Sequence, residues 1–340
     1  MTRKTLHIAV LHGGPSSEHD ISVWSSGGVI AALRASGHRL TPVYVDKTGR
    51  WHVGVAQAGE MLEHSATILE GAQQLVALQP DLCFLGFHGT YGEDGRIQAL
   101  LDLAGLPYTG SGVLASAAAM DKPLARRIFA GVGIPVAAAV EVQSADLRHG
   151  DVRAVATRLA TELGLPVVVK VPAGGSSVGV EIPRDFEALV QSLSRLAADA
   201  ELLLCEQYIA GVELTAGVLQ AADGSLQALP IVEIAPKTGE FFDFTAKYQA
   251  GGSDEIVPAR ISAESTLQVQ ELGLRAHRAL GCAGVSRTDV ILRADGHPFV
   301  LETNTLPGLT PASLLPKAAA AAGLDYSALL ARIIACAVKS

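Results

Sequence analysis

The sequence contains little cysteine, few aromatic residues and no excess of positive charge. Aromatic residues make up 5% of its 340 positions, and the formal net charge at neutral pH is −8. This charge balance argues against nucleic acid as the main partner. The cysteines lack a CxxC pair and a histidine at metal-ligand spacing, which predicts reduced thiols, mostly in the core. They are Cys83, Cys205, Cys282 and Cys336.

Long hydrophobic runs are also missing. No stretch approaches the roughly 20 apolar residues that a membrane-spanning helix needs. The apolar stretch after Arg3 and Lys4 is interrupted at His12 to Gly14, too early for a signal peptide. We therefore expect a cytoplasmic location. The hydrophobic content of 49% is enough for a core in each of two or three domains.

The first part of the chain, to about Asp121, alternates predicted strands and helices. HIAVL runs into the loop HGGPSSE, LTPVYVD is a second strand, and PDLCFLGF ends at His88 and Gly89. This pattern predicts a parallel sheet whose ligand-binding loops follow the carboxyl ends of the strands. The loop HGGPSSE has neither dinucleotide-binding nor P-loop spacing. Taken alone, Glu18 fits a helix-dipole partner and His88 an ordinary loop histidine as well as functional roles.

The middle of the chain contains a candidate phosphate-binding loop. Asp121, Lys122 and Pro123 predict a capped helix start. Further on, PVVVKVPAGGSSVGVEI reads as a strand, a Gly/Ser loop and a strand. Backbone N–H groups and the Ser176 and Ser177 hydroxyls can close over an anion, with Lys170 on the preceding strand. The same pattern also fits a flexible hairpin with a surface lysine.

A second nucleotide-binding candidate follows in ELLLCEQYIAGVEL. An apolar strand leads there into a short polar crossing before Glu213. The backbone of such a crossing can bind an adenine edge, and an acid beyond it can bind ribose hydroxyls.

The richest segment is VSRTDVILRADGHPFVLETNTLPGLT. Strand-like runs flank Asp295 and Gly296, which predicts a hairpin with a two-residue turn. Its register places Asp289 opposite Glu302, and Arg287 opposite Asn304, on one face. Facing carboxylates need a compensating cation, and Asn304 adds a third oxygen donor, so this face predicts a magnesium site. A solvated hairpin face with an arginine between acids is the alternative.

Two further features lie on either side of this hairpin. The long irregular stretch at 234–259 is typical of a lid or binding loop and contains Lys247 and Tyr248. Beyond the hairpin, Thr310 is a predicted N-cap with a proline after it, so Ser313 and Leu314 would offer first-turn N–H groups to a carboxylate. A helix start without a ligand is the other interpretation.

Together these motifs resemble those of D-alanine:D-alanine ligases, members of the ATP-grasp superfamily. HGGPSSE, FHGTYGEDG, YTGSG, MDK, PVVVK with GGSSVG, AKY, RTD and ETNTLPGLTPASL occur in the family's order over nearly the entire chain. The resemblance implies an α/β and α+β ATP-grasp fold of three domains. These are an N-terminal Rossmann-like domain at 1–121, a central domain with a Gly/Ser flap at 122–210, and a C-terminal domain with lid and metal site at 211–340. It also implies a homodimer.

The same resemblance implies ligation of two D-alanines through an acylphosphate, with ATP, for peptidoglycan precursor synthesis. Two Mg²⁺ or Mn²⁺ ions would bind Asp289, Glu302 and Asn304. ATP would be bound by Lys122, Lys170, Ser176, Ser177, Glu206, Gln207, Tyr208, Ile209, Glu213, Lys247 and Asn304. The amino acids would be bound by Glu18, His88, Arg287, Gly308, Ser313 and Leu314. Catalytic roles fall to Glu18, Ser176, Tyr248, Arg287 and Gly308.

One departure from the family pattern concerns the flap. The family commonly has Lys-Pro after the strand and a larger residue at the position of Gly174, whereas this chain has Val171 between Lys170 and Pro172. We expect altered nucleotide affinity rather than lost chemistry, because backbone donors dominate such flaps. Three alternatives stay open: a D-alanine:D-lactate ligase, another ATP-grasp carboxylate–amine ligase and an ATP-binding regulator without activity. Lys247 and Tyr248 favour the dipeptide, since the lactate branch lacks that pair.

Overall fold

The computed structural model describes residues 5–56, 65–172, 179–236 and 253–338. Within them the chain forms three sheets. The N-terminal sheet has the order β3-β2-β1-β4, from β1 (His7–Gly13), β2 (Arg39–Val45), β3 (Trp51–Val53) and β4 (Leu82–Leu85). The central sheet has the order β5-β8-β6-β7, from β5 (Ala139–Gln143), β6 (Val167–Lys170), β7 (Val180–Glu181) and β8 (Leu202–Gln207).

The C-terminal sheet has the order β12-β11-β9-β13-β14, with β10 paired to β9. Its strands are β9 (Val212–Gln220), β10 (Leu226–Ala228), β11 (Val232–Pro236), β12 (Ser253–Ile256), β13 (Val285–Leu292) and β14 (Pro298–Asn304). The helices are α1 (His19–Ala35), α2 (Ile68–Leu78), α3 (Arg96–Leu103), α4 (Val113–Met120), α5 (Lys122–Gly131), α6 (Ser144–His149), α7 (Val152–Leu163), α8 (Phe186–Asp199), α9 (Ala263–Leu280), α10 (Leu314–Ala321) and α11 (Tyr326–Ala337).

The N-terminal sheet confirms the predicted parallel arrangement. Strand β1 runs parallel to both β2 and β4, and every residue of β1 and β4 is buried. Burial of both faces is the reason these strands are continuous apolar runs without alternation. One face packs on α1 and α11, and the other on α2 and α3. Strand β3, which the sequence did not predict, adds an antiparallel edge.

The other two sheets are antiparallel. In the central sheet, α6, α7 and α8 cover one face and bury its apolar side chains. Helix α9 covers one face of the C-terminal sheet, and α5 packs there too, through Ala125 and Phe129. Strand β5 is a short edge strand that begins at Ala139.

The predicted hairpin is present, but the prediction of a two-residue turn is wrong. The Arg293 N–H donates to the His297 carbonyl, so three residues form the loop, and Gly296 takes a positive φ of 85°. This loop shifts the register of the strand pair by one residue near the turn. A bulge between the Asp289 and Val290 pairs restores the predicted register beyond it.

The bulge also determines which side chain of β14 enters the core. Val300 rather than Phe299 or Leu301 is fully buried, because Val300 now lies opposite Val290. On the open face, Asp289 pairs with Glu302 and Arg287 with Asn304, as predicted. The longer loop and the bulge each shift the register by one residue, in opposite directions, so the predicted pairing at the candidate site is retained.

Cys83, Cys205 and Cys282 are buried and reduced, which confirms the prediction of core thiols; Cys336 is half-buried. Burial raises the pKa of Cys83 and of Cys205 to about 12. In the described part of the chain no single helix is long and apolar enough to span a membrane. Among the described helices, only α10 and α11 taken together have the length and apolar composition of a membrane span, and they meet at a bend of 103°.

Candidate active site

The open face of the β13–β14 hairpin carries a network of charged side chains. Arg287 donates from Nε to Asp289 Oδ1 at 3.0 Å and from Nη2 to Asp289 Oδ2 at 2.8 Å. Thr215, on β9, donates to Asp289 Oδ1 at 2.7 Å. Asp289 is buried, so these charge-assisted bonds form where solvent screens them little. The guanidinium is therefore a fixed element of this face.

The facing carboxylates have cationic partners in this structure. Lys122 Nζ lies 3.7 Å from Glu302 Oε2, and Arg287 holds Asp289. Burial opposes the positive charge of Arg287, yet Asp289, Glu302 and Glu93 raise the pKa of its guanidinium above the ordinary value. Protein cations thus supply the compensation that the facing acids require.

The donor set on this face suits a hard cation. Asp289, Glu302 and Asn304 present carboxylate and amide oxygens in register, and such oxygens are the ligands that Mg²⁺ prefers. Among the described residues, no three His, Cys, Asp or Glu side chains are grouped for metal binding. A metal on this face would therefore need further oxygens from waters or substrate phosphates, which is usual for Mg²⁺.

The loops after β1 and β4 meet, as the parallel sheet predicted. Gly89 has a φ of +72°, and a Cβ added there would lie 2.7 Å from Glu18 Oε2, so the Glu18 carboxylate is packed against this glycine. His88 Nε2 is hydrogen-bonded to Ser25 Oγ at 3.1 Å, and its Nδ1 lies 3.8 Å from Glu93 Oε1. Glu18 and His88 are both buried. Two motifs far apart in sequence are thus brought together.

The segment after β14 joins the same region. A small cavity is lined by Ser25 and His88 on one side and by Pro307 and Leu309 on the other. A Cβ added at Gly308 would lie 2.9 Å from Ser313 Oγ, so these two residues are adjacent. The loop after β4 and the segment after β14 therefore line one cavity, and Ser313 is adjacent to that segment through Gly308.

The predicted N-cap at Thr310 is wrong. Helix α10 begins at Leu314 with Ser313 as its N-cap, three residues later than expected. The Thr310 N–H donates to Ser313 Oγ at 3.2 Å, and the Ser313 N–H donates to the Thr310 carbonyl at 2.8 Å. The Thr310 to Ser313 segment is thus a separate turn before the helix. Ser313 and Leu314 still stand at the helix start, where first-turn N–H groups lack intrahelical acceptors.

The predicted nucleotide-binding residues of the central sheet also lie together. Lys170 Nζ is 2.5 Å from Glu206 Oε2, because β6 and β8 are neighbours. Glu206 is buried, and Arg126 on α5 donates to its Oε1 at 2.5 Å. The polar crossing that contains Tyr208 and Ile209 connects β8 to β9, and Glu213 is the second residue of β9. Five of the residues singled out in the sequence lie outside the described part of the chain. They are Ser176, Ser177, Lys247, Tyr248 and Gly174, the position that departs from the family pattern.

Three residues of this region were missed by the sequence analysis. Arg126 could have been found from the sequence, because it follows Lys122 by four positions and therefore lies on the same face of α5. Glu93 lies in the quoted FHGTYGEDG motif, where only His88 was singled out. Thr215 had no local signal, because its contact with Asp289 depends on the pairing of β9 with β13.

Comparison with known families gives two matches along the chain. The model described as "D-ala D-ala ligase N-terminus" matches residues 7–111, and the one described as "D-ala D-ala ligase C-terminus" matches residues 128–335. A curated relative, the D-alanine–D-alanine ligase of Leptospira interrogans, is 41% identical, with 98% of each chain covered.

Solved structures give the same family and fold. A D-alanine–D-alanine ligase of Bacillus anthracis, solved in complex with ATP, is 31% identical, with a TM-score of 0.77 and 98% of each chain covered. The VanG D-Ala:D-Ser ligase of Enterococcus faecalis is 28% identical, with a TM-score of 0.83; 98% of this chain and all of that one are covered.

Proposed function

The chain belongs to the D-alanine–D-alanine ligase family, and from that premise we propose that it joins two D-alanines into a dipeptide while converting ATP to ADP and phosphate. The observation that carries the proposal is the convergence of the acidic hairpin face with the loops after β1 and β4. Gly89 packs against Glu18, and the neighbouring His88 has its Nδ1 3.8 Å from Glu93 Oε1. The charge of Glu93 raises the pKa of the Arg287 guanidinium, so the loops after β1 and β4 lie near the hairpin face. A site of mixed charge is suited to an amino acid and a phosphate together.

Phosphoryl transfer comes first. A carboxylate oxygen of the first D-alanine attacks the γ-phosphorus of ATP, ADP leaves, and an acylphosphate forms. Such transfer depends mainly on positioning and charge neutralisation. We assign Lys122, Lys170 and Lys247 to the phosphates, Glu206 with the backbone of Gln207, Tyr208 and Ile209 to adenine, and Glu213 to the ribose. Ser176 and Ser177 would close over the phosphates as the flap.

The hairpin acids would contribute to the same step. Asp289, Glu302 and Asn304 would hold two Mg²⁺ or Mn²⁺ ions, which when bound neutralise charge on the transferring phosphoryl group. The ion pairs of Lys122 with Glu302 and of Lys170 with Glu206 would hold these side chains in place for the nucleotide. On binding, each lysine exchanges a carboxylate partner for a phosphate.

Peptide-bond formation follows. The amine of the second D-alanine attacks the acyl carbon, and phosphate leaves from the tetrahedral intermediate. We assign Arg287 and the Gly308 N–H to its oxyanion, Glu18 to the first ammonium group and His88 to the surroundings of the first substrate. The Ser313 hydroxyl and the Leu314 N–H would bind the second carboxylate at the start of α10. Tyr248 and Ser176 would link to Glu18, close the lid and assist proton loss from the second amine.

We further propose three domains at 1–121, 122–210 and 211–340, a homodimer in solution, a cytoplasmic location, and a role in peptidoglycan precursor synthesis, hence in cell wall biogenesis and cell shape. Small molecules, rather than nucleic acid or membrane, are the partners this assignment requires.

The test is phosphate release from ATP that depends on D-alanine, with L-alanine as control and product identification by mass. A competition among D-alanine, D-lactate and D-serine as second substrate then decides the product. We expect mainly the D-alanyl-D-alanine dipeptide between pH 6 and 8. Dominant depsipeptide or D-alanyl-D-serine would overturn the substrate assignment, and absence of amino-acid-dependent turnover would overturn the ligase assignment.

A further inference from the structure

A buried arginine outside the assigned site joins the two ends of the nucleotide-binding region. Arg126 lies on α5, with its Nη1 donating to Glu206 Oε1 at 2.5 Å and its Nη2 donating to the carbonyl of Ala137. Both Arg126 and Glu206 are more than nine-tenths buried. A buried guanidinium needs such partners, and two acceptors at once fix its orientation.

The two acceptors, Glu206 and Ala137, lie on β8 and just before β5, which are neighbouring strands of the central sheet. Ala137 lies two residues before β5, whose first residue, Ala139, pairs with Glu206 on β8. The Gln207 N–H donates to the Ala138 carbonyl at 2.9 Å, which continues the same pairing. Arg126 therefore ties the end of β8, where the adenine-binding crossing begins, to the segment that enters β5.

The helix also connects this end to the other end of the region. Lys122 and Arg126 are four residues apart on α5, so their side chains project from one face of the helix. Lys122 reaches Glu302 on the hairpin face, while Arg126 reaches Glu206. Helix α5 packs on the C-terminal sheet through Phe129. It thus positions one cation at the hairpin face and another at Glu206, the two ends of the nucleotide-binding region.

Glu206 has two cationic partners, one on each oxygen. Lys170 holds Oε2 at 2.5 Å and Arg126 holds Oε1 at 2.5 Å. When Lys170 moves to a phosphate, Oε2 becomes an acceptor while Arg126 still fixes the carboxylate. A fixed acceptor binds the 6-amino group of adenine and repels a 6-oxo group.

We propose that Arg126 is a positioning residue for nucleotide recognition: it holds Glu206 so that the site selects a 6-aminopurine over a 6-oxopurine, and it frees Lys170 for the phosphates. This inference rests on the proposed function for the assignments of Glu206 and Lys170. Without Arg126, Lys170 is the remaining ion-pair partner of Glu206 among the described residues. Lys170 would then stay on Glu206, and neither side chain would be available to the nucleotide.

The experiment compares Arg126→Met with Arg127→Met, a matched neighbour whose side chain is 62% exposed and pairs with Glu141 at 2.9 Å. ITP is the probe, because it differs from ATP at the 6-position. For Arg126→Met we expect the KM for ATP to rise roughly ten- to a hundredfold, the range for a lost charge-assisted hydrogen bond. Selectivity for ATP over ITP, as kcat/KM, should fall about tenfold or more. The KM for D-alanine should stay within about twofold, and Arg127→Met should match wild type.

A conservative variant separates positioning from folding. Arg126→Lys keeps a cation for Glu206 Oε1 and should recover most of the ATP selectivity with a smaller rise in KM. If Arg126→Met folds with wild-type KM for ATP and wild-type selectivity, the inference is wrong. Equal loss toward ATP, ITP and D-alanine in both variants would also overturn it, because that pattern indicates a structural role. Wild-type protein without D-alanine-dependent turnover would instead contradict the proposed function.

Discussion

Arg287 and Asp289, two residues apart on β13, form a bidentate ion pair in which both guanidinium contacts are 3.0 Å or shorter. Residues at this spacing project from the same face of a strand. The pair therefore lies in the open face of the hairpin, with Asp289 also bound by Thr215 at 2.7 Å. Neither group is free to rotate, which is the condition for precise positioning of a developing charge.

Replacing Arg287 with methionine should lower turnover by at least about a hundredfold, the usual cost of a lost oxyanion donor. ATP binding should be largely retained, because the nucleotide contacts are assigned to other residues. Steady-state kinetics and ATP binding by calorimetry measure the two effects. The control is Arg293→Met, whose side chain pairs with Asp295 at the exposed hairpin tip. Near-normal turnover in Arg287→Met would give this arginine a structural role.

Replacing Glu302 with glutamine should abolish metal-dependent activity while the fold survives. The substitution removes one of two facing carboxylates, so the melting temperature in metal-free buffer should hold or rise. The side chain is 30% exposed, which limits the loss of its contact with Lys122 to less than about 1 kcal/mol. Thermal melts with and without Mg²⁺ test this, with Asp295→Asn as the control. A destabilised variant with full ligase activity would mean that these acids serve the fold.

Gly308 to alanine should weaken binding of the second amino acid. The added Cβ would lie 2.9 Å from Ser313 Oγ, so the serine or the loop must move. We expect the KM for the second D-alanine to rise several-fold or more, with the KM for ATP nearly unchanged. Gly27→Ala is the control, because a Cβ there meets no atom within 4 Å and alanine favours the helix. A wild-type KM in Gly308→Ala would argue against carboxylate binding at Ser313.

His277 should make the protein less stable in mild acid. Burial lowers its pKa to about 4, and its Nδ1 is hydrogen-bonded to Ser286 Oγ at 2.8 Å. Below pH 6.5 the unfolded chain binds a proton at this residue that the folded protein excludes. Stability should therefore fall as pH drops from 6.5 toward 4, by about 2 kcal/mol at pH 5 from this group.

Urea unfolding at a series of pH values between 7 and 5 measures this loss. His277→Asn should flatten the slope, because the titrating group is gone. His297→Asn, at a side chain that is 76% exposed, should retain the wild-type slope. An unchanged slope in His277→Asn would show that other groups govern acid stability.

Local sequence patterns predicted much of the fold, and the failures have local causes. The Asp121 side chain accepts a hydrogen bond from the Leu124 N–H, as its position before a proline predicted. Thr310 and Pro311 carry the same signal, yet a turn closed by Ser313 comes first and the helix begins later. Pattern rules identify residues able to cap a helix, but competing hydrogen bonds decide which one does.

The sequence by itself determined the alternation of the N-terminal strands and the presence of the hairpin, because strand periodicity and turn residues act over a few positions. Tertiary structure alone decided the bulge that sets Asp289 opposite Glu302, the contact of Thr215 with Asp289, and the ion pairs of Arg126 and Lys170 with Glu206. These contacts join segments that no local pattern relates. They form only when packed helices and sheets bring distant charges into a buried environment, where each must find a partner.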